Sequence, residues 1–123
     1  MRRIDRADEK VHELFGTMPV ESTDLDPEFT EISHRFIYGE IFYQGNLDVR
    51  LRMLISLVAL TTIRNQTYLA SLVPAALTVG VEPQAIKEVL YQCAPFIGFA
   101  AVFDALHIVN AALLDHQVAL PLE

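Results

Sequence analysis

Ala76-Leu77-Thr78-Val79-Gly80-Val81-Glu82-Pro83 lies at the centre of a stretch from Gln66 to Leu106 that decides the fold of this chain. Apolar residues recur on both sides of it at spacings of three and four rather than two, so the stretch reads as apolar helices joined by a tightly specified turn. Gly80 closes the helix before the turn, and Pro83 opens the one after it in the favoured first-turn position. No charged residue occurs between Arg64 and Glu82, and none between Glu88 and Asp104. Almost the whole second half must therefore be buried in protein, which is more than a chain of 123 residues easily covers by itself.

Working outward, the chain is long enough for one domain with a single core. Hydrophobic residues make up 52% and charged ones only 20%. That surplus of apolar surface calls for a partner, and homo-oligomerisation is the economical expectation. A membrane span is not expected, because the longest uncharged run is interrupted by Asn65, Gln66, Thr67, Ser71, Pro74, Thr78 and Gly80. The net charge is −7 and Lys87 is the only Lys or Arg beyond Arg64, so no basic patch is available for nucleic acid or an anionic membrane. Met1-Arg2-Arg3-Ile4-Asp5-Arg6 has no apolar run after it and does not read as a secretory signal, and the single Cys93 allows no internal disulfide. Both features predict a cytoplasmic protein.

The pattern predicts an all-α domain, a compact bundle of about six helices. The first, near Ile4 to Phe15, puts Ile4, Ala7, Val11 and Leu14 on one stripe and stops at Gly16. A loop over residues 17–25 leads to Asp26-Pro27, an N-cap followed by a first-turn proline, and a second helix running to about Phe42. Asp48 is placed to cap a third, whose Leu51, Met53, Leu54, Ile55, Leu57, Val58, Leu60 and Ile63 are apolar on nearly every side, so that it is expected at the centre of the bundle. The fourth spans about Gln66 to Val79, with Pro74 expected to kink or shorten it. The fifth places Ile86, Val89, Leu90 and Cys93 inward and ends or bends at Pro95 and Gly98, and a sixth covers about Phe99 to Leu114.

Three segments together resemble the carboxymuconolactone decarboxylase family: Leu47-Asp48-Val49-Arg50-Leu51-Arg52, the run from Ala76 through Pro83 to Leu90, and the stretch between Gln92 and Ala101. Tyr38-Gly39-Glu40-Ile41-Phe42 matches the family's preceding segment, so that the likeness covers about residues 27–112 of a single domain, 1–123. The resemblance implies an alkylhydroperoxidase D-like all-helical fold that pairs through apolar helices into trimers or hexamers. It also implies two chemistries: decarboxylation of a carboxylated lactone, or thiol-linked peroxide reduction.

The redox branch of the family needs a Cys-x-x-Cys pair, a His four residues beyond it, and a Glu just after the paired arginines. Here those places are held by Asn65, Tyr68, Leu72 and Met53. Cys93 stands beside Ala94 and Pro95, with no cation near it in sequence to stabilise a thiolate, and reads as an inert buried thiol. The decarboxylase branch keeps a Glu-Leu pair followed by a His, where this chain has Tyr68-Leu69 and Leu72. Any chemistry must therefore draw on other residues.

Arg50 and Arg52 lie in the first turn of the third helix, where the helix dipole disfavours cations. Either they grip a substrate carboxylate, or they form an ion pair with Glu40 or Asp48 that ties the loop down. Being two residues apart, they diverge by about 200° and cannot both enter one pocket. Glu40, between Tyr38 and Phe42, is a candidate acid or base in an aromatic setting, or simply a partner for Arg50. His34 and Tyr38 share a helix face and can add donors to a ligand cavity, and Tyr68, at the place of the family's acid, joins the candidate binding residues. His107, three residues after Asp104, is a candidate proton donor or one half of a structural pair at an oligomer contact. The expected ligand is a small organic acid. No cofactor is expected, and four scattered histidines and one Cys offer no metal-ligand spacing.

Overall fold

A computed structural model of the protein describes residues 2–16 and 23–122. It is all-α. The six helices of the described residues are α1 (Arg3–Phe15), α2 (Pro27–Ile37), α3 (Val49–Thr62), α4 (Gln66–Thr78), α5 (Pro83–Ile97) and α6 (Phe99–Asp115), with one 3-10 turn at Ile41–Tyr43. Of the loop expected over residues 17–25, residues 17–22 lie outside the described residues. The chain divides into two compact units, Met1–Val49 and Arg50–Glu123.

In the first unit α1 packs on α2, and of the expected stripe α1 buries Ala7, Val11 and Leu14 and leaves Ile4 half-buried. Helix α2 is shorter than its pattern suggests, ending at Ile37 rather than near Phe42. The amides of Tyr38 and Gly39 both donate to the His34 carbonyl, at 2.9 and 3.1 Å, and the chain then tightens into the 3-10 turn. Gly39 is where the helix gives way. A Cβ at that position would stand 2.5 Å from the carbonyl oxygens of both Arg3 and Arg35, so the backbone there approaches the start of α1 too closely for any side chain. α2 itself buries no residue, and Phe29, Ile32 and Phe36 along it are exposed.

In the second unit α6 packs against both α4 and α5 and contributes Ala101, Val102, Ala105, Val109, Ala112 and Leu113 to the core. The small residues on that face let the helices come close. Lys87 Nζ donates to Asn110 Oδ1 at 2.7 Å and ties α5 to α6. The centre of this unit is thus α6, not α3 as the all-round apolarity of the third helix suggests. α3 buries only Met53, Leu57 and Thr61, four residues apart on one face, and leaves Leu51 and Ile55 exposed, as is Ile63 just beyond its end. Pro74 does not shorten α4, which runs on to Thr78, and Pro95 likewise lies inside α5. An internal proline costs about 3 kcal/mol. In α4 the burial of Leu69, Leu72, Val73, Ala75 and Ala76 around it offsets that cost. Asn65 caps α4 by accepting the Tyr68 amide at 3.1 Å. After Thr78 the chain closes as the turn motif requires: Gly80 takes φ +92°, and the Val81 amide reaches back to the Ala76 carbonyl at 3.0 Å.

Candidate functional site

Within the first unit, the end of α2 and the 3-10 turn gather three of the candidate residues. The Tyr38 ring is the hub of an aromatic cluster, with Phe15, His34 and Phe42 at centroid distances of 5.6, 5.7 and 5.3 Å. His34 is half-buried, and its Nδ1 is enclosed without a hydrogen-bond partner. Burial pushes its pKa below the ordinary histidine value, while the carboxylates of Asp24 and Asp8 pull the other way. Asp24 is itself held low, chiefly by a hydrogen bond from the Thr30 side chain and also by the Asp26 amide at 2.7 Å.

Glu40 is ion-paired with Arg3 and remains part-exposed. The aromatic enclosure expected from its neighbours in sequence does not close over it, because Tyr38 and Phe42 turn toward each other. Glu40 instead borders an open depression of about 560 Å³, lined also by Arg6, Ile41, Tyr43 and Gln44. A second depression of about 510 Å³ lies at the start of α2, lined by Asp26, Pro27, Glu28, Phe29 and Ile32. It contains none of the candidate residues, so the opening beside Glu40 carries more chemical interest.

Three cations of α1, missed as site residues in the sequence, converge on this turn. Arg3 meets Glu40, Arg6 Nε donates to the Gly39 carbonyl at 2.9 Å, and Arg6 and Lys10 both sit over the Tyr43 ring, at 5.6 and 5.1 Å. Their signal was legible. Positions 3, 6 and 10 recur at helical spacing on one face, in a chain otherwise poor in cations.

The second unit holds the remaining candidates. Arg50, on the first turn of α3, is exposed and makes no ion pair or hydrogen bond among the described residues. Its side chain lies over the α4–α5 turn, with Cδ and Nη1 3.8 and 4.0 Å from where a Cβ on Gly80 would stand. Arg52 is half-buried, as the divergence of the two arginines requires. Tyr68 is exposed on the first turn of α4. His107 is exposed on α6, and no hydrogen bond or ion pair joins its ring to Asp104 among the described residues. Asp104 instead borders a cavity of about 20 Å³, room for a single water, together with Thr61, Arg64 and Gln66. The structure therefore gathers Glu40, Tyr38 and His34 in one region, and among the described residues the side chains of Tyr68 and His107 make no hydrogen bond or ion pair.

Leu72 is packed in the core. Cys93 is 3% exposed, and its Sγ donates to the Val89 carbonyl at 3.3 Å. Burial pushes its thiol pKa up, so it stays protonated and lacks the thiolate that peroxide chemistry needs. Among the described residues no cluster of three His, Cys, Asp or Glu side chains could hold a metal ion, and no helix is long and apolar enough to cross a membrane.

Comparison with known proteins agrees with the segments singled out in the sequence. Over 96 residues, covering 78% of this chain and 72% of the relative, the chain is 24% identical to the 4-carboxymuconolactone decarboxylase of Acinetobacter baylyi. Residues 27–111 match the carboxymuconolactone decarboxylase family as a whole, from the first turn of α2 to late in α6, and the chain belongs to that family.

Proposed function

We propose that this protein is a carboxymuconolactone decarboxylase-like enzyme that binds a small carboxylated lactone or a related organic acid, with Arg50 as the carboxylate anchor. The observation that carries this reading is the exposed Arg50 guanidinium, unpaired among the described residues in the N-terminal turn of α3. A cation there is disfavoured by about 0.3–1 kcal/mol, and a bound carboxylate offsets that cost through charge-assisted hydrogen bonds. In the reaction, the bond from carbon to the carboxylate breaks and CO2 leaves. The electron pair passes into the lactone as an enolate, and a donor returns a proton to carbon. Two residues are candidates for the acid or base, Glu40 of the first unit and His107 of the second.

Self-association belongs to the same proposal. Phe96, Phe99 and Phe103 are 81%, 74% and 65% exposed on α5 and α6, an apolar patch of the kind that a second copy covers. A second reading, a non-catalytic oligomeric binding protein, is favoured by one observation: Tyr68 and Leu72 replace the acid and imidazole of the decarboxylase pattern. A thiol peroxidase is disfavoured by the burial of Cys93. CO2 release from 4-carboxymuconolactone distinguishes the first two. The decarboxylase reading expects turnover that is lost in Arg50→Ala, whereas binding of organic acids without CO2 release supports the binding protein.

A further inference from the structure

We infer that α1 is a clamp on the Tyr38-Gly39-Glu40 turn, seated in the notch left by Gly39, and that Arg3 is the positioning residue that fixes the orientation of the Glu40 carboxylate. Several observations point the same way. The family match begins at residue 27, so α1 lies outside the matched segment. The turn it addresses lies inside that segment, and the turn has the shape of a dock: a Cβ on Gly39 would stand 2.5 Å from the Arg3 carbonyl oxygen.

The chemistry of the contact is as specific as its shape. One face of α1 presents Arg3, Arg6 and Lys10, and each meets a different feature of the turn: the Glu40 carboxylate, the Gly39 carbonyl and the Tyr43 ring. Phe15, at the other end of α1, stacks edge-on against Tyr38. Between these contacts Ala7, Val11 and Leu14 anchor the helix by burial, so the charged face is not the main source of its docking. Exposed ion pairs add little to stability, yet an ion pair aimed by a docked helix holds a carboxylate in one direction. Four of the chain's nine cations lie in residues 2–10, and three of them are spent on this one turn.

The catalytic consequence rests on the reading of Glu40 as acid or base. If Arg3 aims Glu40, its loss acts on the chemical step and not on substrate capture. In full-length protein, Arg3→Ala is expected to lower kcat for the lactone acid by about tenfold while KM changes little, and Arg3→Lys to restore most of the loss. The clamp itself is read without substrate. Amide hydrogen exchange at Glu40, Tyr43 and Gln44, whose N–H groups bond Phe36, Glu40 and Ile41, is expected to accelerate in Arg3→Ala and in Arg6→Ala while α4 to α6 keep their protection. Unchanged exchange at these amides in both variants would overturn the clamp. Faster exchange with an unchanged kcat would overturn the positioning role of Arg3. Faster exchange in the two variants, together with a wild type that releases no CO2, would leave the clamp standing and remove the decarboxylase reading.

Discussion

The two compact units differ in how much apolar surface they bury and how much charge they carry. Residues 50–123 are almost free of charge between Arg64 and Glu82 and between Glu88 and Asp104, and α6 alone buries six residues between α4 and α5. Residues 1–49 hold most of the chain's ionic groups. There α2 buries nothing, and the ion pairs Arg2–Asp5, Arg3–Glu40, Lys10–Glu13 and Arg35–Glu31 fall in this unit. Apolar burial is worth far more than exposed ion pairs, so the second unit is the scaffold and the first is the adjustable part. His34, Tyr38 and Glu40 lie in the adjustable part, whereas Arg50, unpaired among the described residues, stands on the scaffold.

The sharpest way to break this contrast is in the scaffold. Leu90 is fully buried on α5, and Leu90→Ala should cost about 2–5 kcal/mol in urea unfolding. A loss below 1 kcal/mol would mean that the apolar unit is not the source of stability. Gly39→Ala should follow at about 3 kcal/mol, because the added methyl meets two backbone oxygens that no rotamer change can move. Its effect should concentrate in the exchange rates of the first unit. Gly80→Ala, which meets only ordinary contact with Arg50 but holds φ at +92°, should cost less, about 1 kcal/mol.

Acid pH separates the units more gently. His34 is held below its ordinary pKa in the folded state, so as pH falls through about 6.5 the unfolded chain takes up the proton first and stability declines. Above that pH the group contributes no slope. His34→Gln should flatten this part of the profile, and a profile identical to wild type between pH 7 and 5 would contradict the buried, neutral ring. The smallest effect is expected at Phe29, 73% exposed on α2, where Phe29→Ser should change unfolding by no more than about 0.5 kcal/mol.

How much of this was legible depended on whether neighbours in sequence or in space decide the outcome. The bounds of α1, α4, α5 and α6 follow from caps and breakers that act locally, such as Gly16, Asn65, Gly80, Pro83 and Gly98, and the structure places them within a residue or two. The end of α2 was not legible, because the approach of Arg3 to Gly39 spans 36 positions. The centrality expected of α3 failed for a related reason. A helix apolar on every side carries no information about which side is covered, and only Met53, Leu57 and Thr61 are.

At the candidate site, the divergence of Arg50 from Arg52 and the inertness of Cys93 followed from helical geometry and composition. The partner of Glu40 did not. The sequence offered Arg50 by proximity, and the ion pair the fold supplies is with Arg3 from the far end of the unit.

The most direct test of the central claim, that Arg50 anchors a substrate carboxylate, is calorimetric titration of a saturated lactone acid that cannot decarboxylate into wild type and Arg50→Ala. Loss of a charge-assisted carboxylate contact should weaken binding by roughly ten- to a hundredfold, with the unfolding temperature of the free protein unchanged. Equal affinity in the two proteins would contradict the account.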